Sequence, residues 1–188
     1  MLLDAVKKKV IAIDSSTKSV AWSYFEGSSL LSYGKFVLKD KEMSHKLEEV
    51  CEGMADLVEE LSPDYLIIES PFYGNNVKTV VNLAMIQGAI IGVAKHKGVR
   101  EIASVPPIAW QKAIGNEPLT KEEKSVIMDK YPEKSISYLT NKYREVRKER
   151  TISYVNDRFL LRLDDDDIAD AVGIGCYVLD QSEKVSWE

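Results

Sequence analysis

Two short apolar runs set the frame for this chain. KKVIAID (8–14) and YLIIE (65–69) are rich in β-branched residues, and each ends on a carboxylate, Asp14 and Glu69. A strand without polar alternation is one buried on both faces, the position of a central strand in a sheet covered by helices. YLIIE is apolar right up to its acid. A lone buried carboxylate is costly, so Glu69 is harder to read as a structural residue than Asp14, which could also cap a strand turn.

The surrounding pattern fills in an architecture. SVAWSYFEG (19–27) and LLSYGKFVL (30–38) have strand composition with turn residues between them. Leu47, Val50, Cys51, Met54, Leu57, Val58 and Leu61 fall on one face of a helix over about 42–61. A second helix spans about 78–97, and VREIASV (99–105) is a strand closed by Pro106-Pro107. Short helical stretches follow at about 108–114 and from Thr120-Lys121-Glu122-Glu123, a capping box. Tyr131-Pro132 interrupts, a basic helix covers about 140–160, and an apolar helix over 167–180 ends the regular structure. Three meandering strands followed by alternating strands and helices predict an α/β fold with a central mixed five-stranded sheet and helices on both faces. The 188 residues suit a single domain, with 121–162 as a helical elaboration of it.

Composition excludes several classes. A hydrophobic fraction of 45% and a charged fraction of 29% argue against disorder and low-complexity chains. No unbroken apolar run has the length of a membrane span, and the N-terminal lysines are in the wrong order for a signal peptide. Cys51 and Cys176 read as reduced core residues, so a cytoplasmic location is expected. The net charge of −5 hides an uneven distribution: residues 164–188 carry −7, and residues 121–162 carry +4. An acid cluster on a mildly basic body is compatible with a metal site that faces a polyanion.

The acids themselves narrow the chemistry. Asp14 and Glu69 end strands, while Asp167 and Asp170 open the last helix at a spacing that puts them on one face. Strand ends and helix starts meet at one edge of an α/β layer. Three or four carboxylates gathered there repel unless divalent cations are bound, and hard oxygen ligands suit Mg2+ or Mn2+. Two such ions about 4 Å apart can activate water and stabilise the leaving oxygen of a phosphodiester. Asp164, Asp165 and Asp166 can also be explained as charges favoured at a helix N-terminus; that reading is preferred for Asp164 and Asp165, and Asp166 stays an alternative to Asp167.

VIAIDSSTKSVAWSYFE, IIESPFYGNN and DDDIADAVGIG together resemble the three motifs of RuvC-type Holliday junction resolvases, within the ribonuclease H-like nucleases. The resemblance covers about residues 8–125 and 164–180. It implies a ribonuclease H-like, Mg2+-dependent endonuclease with two ions and Mn2+ as a substitute. It also implies a homodimer that makes paired, symmetric nicks in four-way DNA junctions during recombination and repair. Metal ligands carry over to Asp14, Glu69, Asp167 and Asp170. Phe72 resembles an aromatic wedge at the junction centre, or else covers its loop, and Asn76 matches a polar position of that loop. Lys121 resembles a basic residue at the scissile phosphate, with Lys112 and Lys124 as alternatives. Arg144, Arg147 and Lys148 form either a phosphate-contacting face or a solvated helix balanced by Glu145 and Glu149. The helix at about 78–97, with Val81, Met85, Gly88, Ala89 and Gly92, is a candidate dimer seam. Asp14-Ser15-Ser16 departs from the family's common Asp-Pro-Gly and resembles a phage-type branch, whose substrates extend to other branched DNA.

Three other readings compete. A related nuclease acting on RNA–DNA hybrids or flaps would share fold and site. A non-catalytic branched-DNA-binding protein gains nothing from four carboxylates facing phosphates. An actin- or sugar-kinase-like ATPase needs a second domain and a glycine-rich phosphate loop that this chain lacks.

Overall fold

Residues 8–71 and 76–181 are described by a computed structural model. The two apolar runs become β1 (Lys9–Ser15) and β4 (Tyr65–Glu69), parallel neighbours at the middle of one five-stranded sheet. β2 (Ser19–Glu26) pairs antiparallel with β1, β3 (Ser29–Val37) with β2, and β5 (Glu101–Val105) runs parallel to β4. The order is β3-β2-β1-β4-β5, so the sheet is mixed, as expected from three meandering strands followed by crossovers.

Helices cover both faces, and strand alternation sorts the core between them. Ile11, Ile13, Leu66 and Ile68 face α1 (Met43–Leu61) and α2 (Val77–His96). Val10, Ala12, Ile67, Ala103 and Val105 face α3 (Pro107–Ala113), α5 (Ile136–Phe159) and α6 (Asp166–Asp180). The capping box at Thr120 starts α4 (Lys121–Lys130) as expected. The basic helix begins earlier than its periodicity suggests, because the Ser135 hydroxyl accepts from Tyr138 N–H and caps α5 there. The expected elaboration at 121–162 is thus two helices, the second of which reaches the core through Val155 and Thr151.

α6 lies very close to the sheet. A Cβ on Gly175 would stand 2.2 Å from the Phe25 ring, and one on Gly173 would stand 2.9 Å from the Trp110 ring. Glycine at these positions admits the helix to β2 and α3. Cys51 and Cys176 are free thiols. By length and composition α2 is long and apolar enough to cross a membrane, although polar residues interrupt its apolar run. In the fold it rests on the sheet through Ile86, Ile90 and Ala94 and leaves one apolar side open.

Candidate active site

The same alternation decides where the acids point. Asp14 shares its face of β1 with Val10 and Ala12, and Glu69 shares its face of β4 with Ile67, so both lie on the side covered by α6. Ile13 pairs with Ile68, which sets Asp14 and Glu69, the next residue on each strand, side by side. They occupy the C-terminal edge of two parallel strands, where open α/β sheets place their ligands. α6 crosses above this edge and supplies Asp166, Asp167 and Asp170 from its first turns.

These acids perturb one another. Burial, then Glu69, Asp170, Asp167 and Asp166 in that order, push the Asp14 carboxyl well above the usual carboxylate range. Burial and Glu69 push Asp170 to about 7. Burial also raises Glu69, against the pull of a hydrogen bond from Trp110. Trp110, fully buried on α3, donates from Nε1 to Glu69 Oε1 at 2.7 Å, and Gln87 Nε2 donates to the Glu69 carbonyl at 2.9 Å. Backbone and carboxylate of Glu69 are therefore both held.

The run Asp164–Asp167 divides by partner. Asp165 caps α6 by accepting from Ile168 N–H at 3.1 Å and forms an ion pair with Lys35. Asp166 forms an ion pair with Lys148 of α5. Asp167 Oδ2 accepts from Ser19 Oγ and from Lys35 Nζ, both at 3.1 Å. Asp14, Glu69 and Asp170 are the acids at this edge whose pKa is raised. Hard oxygen donors buried side by side, with Asp14 and Asp170 each raised further by neighbouring acids, fit divalent cations. Among the described residues no three such side chains are already drawn together at ligand spacing, in keeping with their mutual repulsion.

The sequence-predicted basic residues separate into two groups. Arg144, Arg147 and Lys148 line a cavity of about 180 Å3 that also contains Asp170, so α5 brings its cations to the carboxylates. Lys121 is the exposed first residue of α4. Lys124 lies over the Tyr143 ring at 5.9 Å, and the Lys112 ammonium is 4.0 Å from the Glu117 carboxylate. The contacts of Lys112 and Lys124 are with neighbours other than the acid cluster. Asn76 serves as the N-cap of α2, its Oδ1 accepting from Thr79 N–H at 3.3 Å. Phe72 lies outside the described residues. Lys35, Trp110 and Gln87 were not foreseen. Lys35 pairs with Ala21, which pairs with Asp14, so all three share one row across the sheet; that row becomes visible only once the register is known.

Asp170 gives the metal-free protein a distinctive pH response. Between about pH 4 and 7 the folded state holds a proton that the unfolded chain has released, so stability falls as pH rises through that window. Asp14 and Glu69 act in the same direction. In chelator, Tm is expected to decrease from pH 5 to pH 8, and Asp170→Asn to flatten the slope. A Tm that rises over this range would contradict the electrostatic account.

Known proteins resemble this chain in sequence and in fold. The family model for the crossover junction endodeoxyribonuclease RuvC matches residues 10–130. The crossover junction endodeoxyribonuclease RuvC of Cytophaga hutchinsonii is 27% identical over 130 residues, covering 66% of this chain and 65% of that protein. The Campylobacter concisus protein of the same name is 27% identical over 127 residues, covering 65% and 80%. Among solved structures, Thermus thermophilus RuvC in complex with Holliday junction substrate superposes with a TM-score of 0.71 at 12% identity, over 96% of this chain and 99% of that one. The yeast mitochondrial Holliday junction resolvase Ydc2 gives 0.52 at 14% identity, over 92% and 78%.

Proposed function

Because the chain belongs to the RuvC family of crossover junction endodeoxyribonucleases, we propose that it resolves four-way DNA junctions by paired nicks, as a divalent-metal-dependent homodimer. The observation that carries this reading is the convergence of Asp14, Glu69 and Asp170, with Asp166 and Asp167 beside them, at one sheet edge next to a basic cavity. Asp14, Glu69, Asp167 and Asp170 would hold two Mg2+ ions, with Mn2+ as a substitute. When bound, the ions supply Lewis acidity to the attacking water and the leaving oxygen.

The chain's own groups do the rest. Trp110 keeps Glu69 Oε1 occupied, which leaves the other oxygen as the one that would reach a cation. Ser19 and Lys35 orient Asp167, while Lys148 restrains Asp166. That arrangement favours Asp167 over Asp166 as the third ligand. Arg144 and Lys148, which the sequence reading offered as part of a phosphate-contacting face, would meet phosphates from the cavity beside Asp170. Junctions are bound largely through phosphate positions and shape.

A dimer needs a seam, and α2 offers one. Val77, Val81 and Met85 are exposed on it, and open space lies over Gly88 and Gly92 further along the helix. An apolar stripe of this length on a surface helix suits a second copy, and two-fold symmetry matches two equivalent strands of a junction.

Trp110→Phe tests the hold on Glu69. Phenylalanine keeps most of the buried ring but cannot donate, so the affinity for Mg2+ is expected to fall by about 10- to 100-fold, measured by calorimetric titration, with junction binding in chelator unchanged. Unaltered metal affinity would remove Trp110 from the site.

The function is tested with a labelled four-way junction in Mg2+, beside linear duplex, a flap and an RNA–DNA hybrid. Symmetric paired nicks in the junction are expected. Cutting of the hybrid or flap alone would keep the carboxylates but overturn the substrate, and binding without cutting would overturn the catalytic reading.

A further inference from the structure

A second, larger cavity of about 650 Å3 adjoins the one beside Asp170, and Gln111, Asn116 and Arg147 line both. We propose that the two cavities form one subsite for a single nucleotide of the cleaved strand, next to the scissile phosphate. Its phosphate sits against Arg144 and Arg147, and its base against Ile108. The proposal rests on the nuclease reading above and adds to it the group that the enzyme grips beside the cut.

The smaller cavity has the chemistry of an anion socket. Arg144, Arg147 and Lys148 surround it, and Asp170 ties it to the carboxylate cluster. Arg147 is fixed in place: Nη2 donates to Gln111 Oε1 at 2.6 Å and to the Asn116 carbonyl at 3.0 Å. Asn116 in turn donates from Nδ2 to the Arg147 carbonyl at 2.8 Å and to Thr151 Oγ1 at 2.9 Å. Two polar atoms in this lock, Arg147 Nε and Asn116 Oδ1, are buried without a hydrogen-bond partner. Asn116 is only 3% exposed. Arg144, in contrast, is exposed and forms no ion pair among the described residues. A guanidinium locked by its neighbours, with a second one open to solvent, is a phosphate-binding arrangement.

The larger cavity has different walls. Pro107, Ile108 and Pro118 line it, and Ile108 is 69% exposed on the short helix α3. A nucleobase has the apolar faces such walls would cover and the polar edges that Gln111 could read. The Gln111 amide is oriented, because its oxygen is taken by Arg147 and its Nε2 is left to donate. An anion socket and an apolar slot that share one wall match the two halves of a nucleotide. Continuity with the carboxylates places that nucleotide on the strand being cut. Extruding a base is least costly where pairing is already broken, as at a junction centre.

The test uses junctions carrying one modified nucleotide at a time on either side of the nick. One series has a neutral methylphosphonate, the other an abasic site. In the wild type, both modifications at one and the same nucleotide are expected to slow cleavage by about tenfold, the scale of one charged contact or one stacked base. In Arg144→Ala the methylphosphonate penalty is expected to shrink to less than about twofold while the abasic penalty persists; in Ile108→Glu the reverse is expected. Both side chains are exposed, so the variants should fold, and their Tm is compared with wild type. Penalties that fall on different nucleotides, are absent, or are unchanged in the variants overturn the subsite while leaving the nuclease standing. A wild type that cuts no junction overturns the nuclease reading itself.

Discussion

Asp14→Asn is expected to lose nicking and gain stability at once. Activity should fall by roughly a hundred- to a thousandfold or more, the scale on which loss of a single charge-stabilising group is felt. The same change removes the carboxylate that burial and four other acids disfavour most visibly. At neutral pH the folded protein must either carry that charge in a buried, acid-rich place or hold a proton that the unfolded chain has released, and both carry a cost the unfolded chain does not bear, so a neutral amide of the same shape relieves it. In chelator the Tm should rise by about 2–4 °C for each kcal/mol relieved. Timed nicking of a labelled junction and thermal melts check the two halves separately. An active variant would remove Asp14 from the chemistry. A variant that is inactive and also less stable would show that Asp14 holds the strand end together. A stability gain coupled to lost function is the usual mark of a site strained for its task.

Val81→Asp combined with Met85→Asp is expected to split the homodimer. Both side chains are exposed on α2, at 51% and 44%, so the monomer should fold with little change in Tm. In a seam against a second copy, each carboxylate would have to be desolvated without a partner, a cost of several kcal/mol. Since about 1.4 kcal/mol is a factor of ten in affinity, sedimentation at micromolar concentration should show monomers. Junction cleavage should then give isolated nicks instead of paired ones, because the second strand no longer has a site tethered opposite it. A double variant that stays dimeric would move the seam elsewhere.

Much of this architecture was legible because it follows from periodicity. YLIIE could only be a central strand, and its parallel partner β1 followed from the same composition. The spacing of Asp167 and Asp170 placed both on α6 before any contact was known. Relations that depend on register were not legible. Lys35 sits on β3, twenty-one residues from Asp14 in sequence, and reaches the acid cluster only because Ala21 stands between them in one row. Trp110 looked like one more apolar residue in a short helix. Its role depends on Glu69 ending β4 beneath it and on Gly173 leaving room above. Lys121 stands out only through likeness to a motif, whereas the cations beside Asp170 come from α5, the stretch where sequence pattern allows either a solvated or a functional face.

The bond between Trp110 and Glu69 has a practical consequence. An indole that donates to a metal-ligand candidate at 2.7 Å is an optical sensor built into the site. Its emission depends on the electric field along that hydrogen bond, and any cation settling on Glu69 alters the field. Of the three tryptophans, Trp22 lies against Gly34, among residues of the opposite sheet face, Trp110 is in the core beside the carboxylates, and Trp187 lies outside the described residues. Occupancy of the centre can therefore be followed in the unlabelled protein, before any DNA is added and without waiting for a strand to be cut.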